Sequence, residues 1–179
     1  MNTPNKLTLF RIILVPVFIC LLYMNMNIAA MLVFILASFT DFLDGHLARK
    51  NGLVTTFGKL MDPLADKILA ISALVCFLEL DVEFLTAWMV VLIIARELIV
   101  TGIRLIALSE NKVIAASWWG KSKTVSQLVG IIAIMLDRII PLRIFDISIT
   151  AVLIAVMVIL TVYSGYDYVK KNFSLFEFK

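Results

Sequence analysis

Four aspartates sit at helical spacing inside sequence apolar enough to enter a bilayer. Asp41-Phe42-Leu43-Asp44-Gly45-His46-Leu47-Ala48-Arg49 is followed, after eight intervening residues, by Gly58-Lys59-Leu60-Met61-Asp62-Pro63-Leu64-Ala65-Asp66. Written as a pattern this is D-x2-D-G-x2-A-R-x8-G-x3-D-x3-D. An ionised acid in hydrocarbon costs several kcal/mol, so the four require compensation. Offsets of three and four place each pair on one face of a helix. Two such pairs on an antiparallel hairpin form an oxygen-rich cage for a hard divalent cation, Mg²⁺ or Mn²⁺ in preference to Zn²⁺.

The rest of the chain fixes the setting. Of 179 residues, 62% are hydrophobic, where soluble domains lie nearer half. The length accommodates one membrane domain over 1–179, with roughly six spans of about 20 residues and short connections. The expected fold is all-α, with spans at about Leu7–Met24, Ile28–Arg49, Lys59–Leu80, Phe84–Leu108, Lys121–Leu136 and Ile144–Val169. Met1–Lys6 is expected to be a short interfacial lead-in. The first apolar run has no small-residue cleavage site after it, so it reads as a span. Cys20 and Cys76 fall in apolar runs and read as small buried hydrophobes.

Charge orients the spans. Lys6, Arg11, Arg49, Lys50, Lys59, Lys112, Lys121, Lys123, Lys170 and Lys171 fall at one set of ends. Of the alternate connections, Asn25–Asn27 is uncharged and Glu79–Glu83 carries only acids. The last of them holds Arg138 and Arg143 and is the exception. The positive-inside rule puts both termini and the acid cluster on the cytoplasmic side. The net charge of +3 is this loop bias, which suits an anionic leaflet and gives no indication of nucleic-acid binding.

The aspartates are expected about 12 Å or less from their helix ends, at similar depth. Ionised together they would raise one another's pKa, and a divalent ion removes that conflict. Gly45, Ala48 and Gly58 leave the helix backbone open to something flat, and Arg49 beside them can pair with phosphate. Cage, groove and arginine together suggest a nucleotide diphosphate. The plainer reading of the small residues is tight helix packing.

The full pattern resembles the signature of the CDP-alcohol phosphotransferases. Pro4–Arg11, Asp62–Lys67, Ala95-Arg96-Glu97-Leu98, Thr101-Gly102-Ile103-Arg104 and Gly120–Thr124 with Gln127 are similar to one branch, the bacterial phosphatidylglycerophosphate synthases. The resemblance implies six transmembrane helices in the bacterial cytoplasmic membrane, a homodimer, and a polar cavity open to the cytoplasm. It implies Asp41, Asp44 and Asp62 as metal ligands, with Asp66 as ligand or general base. Asp44, Gly45, Ala48, Arg49 and Gly58 would receive the CDP part of CDP-diacylglycerol. The acceptor would be sn-glycerol 3-phosphate, with CMP leaving.

The acceptor phosphate needs basic partners, and Lys59, Arg104, Lys121, Lys123 and Thr124 are the candidates. Lys121 and Lys123 also fit simple loop charge. Arg96 and Glu97 fall deep in an apolar helix and suggest a supporting polar network. Glu97 and Arg104, seven apart, share a face. Asn5, Thr8 and Arg11 recur at offsets of three, as cavity edge or as interfacial anchors. Trp88, Trp118 and Trp119 read as belt residues. Rival readings are another CDP-alcohol enzyme (a cardiolipin, phosphatidylserine or phosphatidylinositol-phosphate synthase) or an ion-coupled transporter. The absence of a repeat and the clustering of the acids toward one face argue against transport.

Overall fold

In a computed structural model the backbone is described for residues 3–51, 56–109, 114, 117–144 and 147–173, and the side chains for 9–40, 67–107, 114, 117–143 and 147–173. Within these, six helices follow one another: α1 Thr3–Tyr23, α2 Asn27–Asn51, α3 Thr56–Glu79, α4 Ala87–Ser109, α5 Trp118–Asp137 and α6 Ile149–Lys171. Among the described residues, α6 is the one helix long and apolar enough to cross a membrane; Leu9–Tyr23 and Asn27–Thr40 are shorter apolar stretches.

The boundaries depart from expectation for local reasons. The helix of the first span begins at Thr3, so residues 3–6 are its first turn and not a separate lead-in. Pro4 suits that position because its missing N–H would have no partner there. Phe84 has φ 68°, which a helix cannot contain, so α4 starts at Ala87 and not at Phe84. The α5 helix starts three residues early because Ser117 caps it, its Oγ accepting from Gly120 N at 3.1 Å. Residues 143–144 are not helical, so the last helix begins at Ile149 and not at Ile144. Arg143 pairs with Ser148 and Ile144 with Ile147 in a two-stranded antiparallel ladder. Ser148 then caps α6, its side chain accepting from Ala151 N.

The chain divides into two compact units, Met1–Cys76 with Arg138–Ile140, and Phe77–Asp137 with Pro141–Lys179. In the first, α1 packs on α2. Val15, Phe18 and Leu22 are buried on α1, and Ala30, Phe34 and Ala37 on α2, each set at the three-and-four spacing of a helix stripe. Phe18 and Phe34 meet with ring centroids 5.7 Å apart. In the second unit α4 and α5 each pack on α6. The α4 and α6 helices run in the same direction, since Arg96 lies by Gly165 and Arg104 by Tyr168. The α5 helix runs against α6, with Trp119 on Tyr163 and Gly130 on Met157.

The α6 helix buries Thr161, Ser164 and Tyr168 along one stripe. Thr161 Oγ1 donates to Met157 O at 2.6 Å and Ser164 Oγ to Thr161 O at 3.0 Å, so neither hydroxyl is buried unsatisfied. Gly165 on the same helix makes the α4 crossing possible, because a Cβ there would lie 3.0 Å from Arg96 Cγ. Gly165→Leu should destabilise the protein by about 1–3 kcal/mol through overpacking. Gly102→Ala, where a Cβ meets nothing within 4 Å, should leave stability unchanged or raise it by up to about 1 kcal/mol. Melting temperatures in one detergent compare the two.

Candidate functional site

The acid motif lies on two helices whose backbone continues unbroken through it. Asp41, Asp44, Gly45, Ala48 and Arg49 fall on α2, and Gly58, Lys59, Asp62 and Asp66 on α3. Asn5 and Thr8 fall in the first turns of α1. The side chains of all eleven lie outside the described residues. Their helical register is nonetheless informative. On α2, positions 41, 44 and 48 continue the stripe on which Ala30, Phe34 and Ala37 are buried. On α3, positions 62 and 66 continue the stripe of Leu69, Ala73 and Cys76, all buried. Each acid pair therefore shares the helical register of the buried stripe further along its own helix.

Arg11 belongs to the same geometry. It is 2% exposed, on the stripe of Val15, Phe18 and Leu22. Antiparallel pairing through Phe18 and Phe34 brings position 11, seven residues before the contact, level with position 41, seven residues after it. A buried guanidinium at that level of the helix pair is notable in apolar surroundings, where an arginine is rarely placed without a reason.

The second unit holds the other candidates, and here the side chains are described. Arg96 and Glu97 on α4 and Lys123 and Gln127 on α5 form one polar network. Glu97 Oε1 accepts from Arg96 Nη1 at 2.8 Å and also from Lys123 Nζ, which in turn donates to Gln127 Oε1. Lys123 is 1% exposed and Glu97 8%. Thr101 Oγ1 donates to the Glu97 carbonyl at 2.7 Å. Arg96 lies at a junction of three helices. It covers Gly165 of α6, and its Nη2 is 3.8 Å from where a Cβ of Gly120 on α5 would stand. Its Nε is buried without a hydrogen-bond partner, an unspent donor at the edge of the network.

Arg104 does not join Glu97, although the two share a helix face. Its guanidinium lies 5.6 Å from the centroid of the Tyr168 ring, with Nε donating to Tyr168 Oη at 3.3 Å. Tyr168 is buried beside Val100 and Ile103, so the ring fixes the arginine while its remaining donors face outward. Lys121 and Thr124 are exposed on α5, and Thr124 Oγ1 donates to the Gly120 carbonyl at 3.1 Å. The five basic-subsite candidates thus separate by environment. Arg104, Lys121 and Thr124 are open, Lys123 is engaged inside the network, and Lys59 lies outside the described side chains. Tyr168 was not among the sequence candidates. The polar spacing of Thr161, Ser164 and Tyr168 in an apolar helix is the signal that would have found it.

Among the described residues no three His, Cys, Asp or Glu side chains come together as a metal site; the four motif aspartates are outside that set. The helical backbone keeps the members of each pair one turn apart, and a donor set of carboxylates alone suits Mg²⁺ or Mn²⁺.

The family model for CDP-alcohol phosphatidyltransferases matches residues 1–163. The chain belongs to that family. A Bacillus subtilis protein named CDP-diacylglycerol–glycerol-3-phosphate 3-phosphatidyltransferase is 39% identical over 186 residues, 96% of this chain and 95% of its own. A Haemophilus influenzae protein of the same name is 39% identical over 135 residues, 73% of each chain. A Mycobacterium tuberculosis protein named probable phosphatidylglycerophosphate synthase is 41% identical over 176 residues, covering 95% of this chain and 81% of that protein. In this family member the acid pattern is complete and both its helices are continuous.

Proposed function

We propose that this chain transfers the phosphatidyl group of CDP-diacylglycerol to sn-glycerol 3-phosphate, releasing CMP and forming phosphatidylglycerophosphate for anionic phospholipid synthesis. The observation that carries the reading is near-full-length similarity to relatives so named, in a chain whose D-x2-D-G-x2-A-R-x8-G-x3-D-x3-D pattern is unbroken. The protein is read as a six-span enzyme of the bacterial cytoplasmic membrane, one domain per chain and two chains per dimer, with the acids toward the cytoplasm. Trp88 and Trp118, 57% and 75% exposed near opposite ends of unit-two helices, suit membrane boundaries.

Each part of the reaction has its residues. Asp41, Asp44, Asp62 and Asp66 would hold Mg²⁺ or Mn²⁺, which when bound neutralises the donor diphosphate and the departing CMP. Arg49 pairs with phosphate, and Gly45, Ala48 and Gly58 leave room for the nucleotide. Arg104, steadied by Tyr168, receives the acceptor phosphate with Lys121 and Thr124. Asp66 takes the proton of the attacking glycerol hydroxyl. The oxygen so freed bonds to the phosphorus next to the diacylglycerol, and the bond from that phosphorus to the bridging oxygen breaks, so CMP leaves with the bridge. Positioning and charge account for most of such a transfer. Arg96, Glu97, Lys123 and Gln127 serve it by locking α4 to α5.

The test is CMP release from CDP-diacylglycerol by purified protein, with each candidate acceptor and with or without Mg²⁺. Dependence on both glycerol 3-phosphate and Mg²⁺ supports the reading. Release with serine, an inositol phosphate or phosphatidylglycerol instead keeps the family and changes the acceptor. Arg104→Gln should raise KM for glycerol 3-phosphate about tenfold, the loss of one charge-assisted contact, with KM for CDP-diacylglycerol unaltered in the same assay.

A further inference from the structure

The loop charge that departs from the positive-inside pattern leads to a second site. Of its two cations, Arg143 is neutralised, Nη2 donating to Glu83 Oε2 at 3.0 Å. Arg138 is not. Its Nε donates to Asn27 Oδ1 at 3.2 Å and its Nη2 lies 3.5 Å from Asn25 Oδ1. Both partners are neutral amides, and among the described residues no carboxylate pairs with this guanidinium. The neighbouring carboxylate, Asp137, accepts from Leu142 N at 2.6 Å. Asn25 and Asn27 also line an open groove of about 450 Å³ whose other walls are Met26, Ile28, Ala29, Leu32 and Ile139. Ile28 and Leu32 are 59% and 60% exposed. The site stands at the start of α2, about 21 Å along the helix from Asp41, and so at the end opposite the acid motif.

We infer that this groove binds a phospholipid of net negative charge, with its phosphate on Arg138 and an acyl chain along Met26, Ile28, Leu32 and Ile139. Arg138 presents a planar fork of donors, and its two asparagine contacts orient the fork without cancelling its charge. A volume within the usual range of ligand sites, walled by aliphatic side chains below a single cation, matches a charged headgroup joined to a hydrocarbon tail. Asn25, held at φ 57°, turns the chain so that both amides meet the same arginine. The site rests on the membrane reading of the chain and is independent of the transfer reaction.

The experiment places the full chain in phosphatidylcholine nanodiscs carrying a trace of phosphatidylglycerol or phosphatidylcholine with a photoreactive acyl chain, then maps the labelled peptides. The phosphatidylglycerol probe should label the 25–32 and 139 segments about five times more than the phosphatidylcholine probe. Arg138→Gln should equalise the two probes and Arg138→Lys should keep most of the difference, with CMP release as in the parent protein. Leu32→Trp, which fills the groove and leaves the cation in place, should lower labelling by phosphatidylglycerol about fivefold. Equal labelling of the parent by both probes, a difference that survives Arg138→Gln, or cross-links from this groove to a second copy of the chain would each overturn the assignment. Because the readout is labelling, loss of CMP release would count against the proposed reaction and leave this site standing.

Discussion

Asp66→Asn should lower CMP release by about 10²–10⁴-fold, the usual contribution of a positioned general base. The amide keeps the size and shape of the side chain and removes the proton acceptor. The variant also separates the two roles open to this aspartate. If Asp66 mainly holds metal, raising Mg²⁺ should restore kcat while the Mg²⁺ requirement moves to higher concentration. If it mainly accepts the proton, kcat stays low at saturating Mg²⁺. Asp44→Asn serves as the comparison, since a pure ligand should show the first pattern. Wild-type rates in Asp66→Asn at ordinary Mg²⁺ would remove Asp66 from both roles.

Glu97→Gln should be the most damaging single substitution in the second unit. Its carboxylate is shared by Arg96 and Lys123, and removing one member of a buried pair costs about 3–5 kcal/mol because the partner charge is left uncompensated. Lys123→Met removes a cation and leaves Glu97 with Arg96, so its cost should be smaller. Glu97→Gln with Lys123→Met should recover part of the loss, as buried charge is then removed from both sides. Melting temperatures of the three variants in a common detergent give the double-mutant cycle. Additive losses in the double variant would mean that the two residues act separately.

The acid motif was legible because chemistry and spacing coincide. Carboxylates are rare in apolar helices, and their offsets carry the helix face with them. Arg96 and Glu97 were legible for the same reason, as charges deep in an apolar run. Their partners were harder to read. The heptad offset of Glu97 and Arg104 suggested one cluster along α4, yet Glu97 turns to α5 and Arg104 to α6. Shared helix face says nothing about which neighbouring helix supplies the closer group, and that depends on crossings such as the one Gly165 permits. Helix starts were misplaced where one residue decides them, such as the left-handed Phe84 or the capping Ser117. The short ladder pairing Arg143 with Ser148 was missed because two paired residues on each side are too few to carry an alternating pattern.

The stretch of chain shared with the family model ends at residue 163, while the ring that steadies Arg104 belongs to Tyr168. A chain shortened after residue 163 would keep every motif residue and lose the last two turns of α6. Its Arg104 would keep its charge and sequence neighbours but regain the rotamer freedom that the ring removes. The segment that carries the family pattern and the residue that holds Arg104 in place are therefore different parts of the polypeptide. Moving the environment of Arg104 into a relative would need the end of α6 to travel with α4.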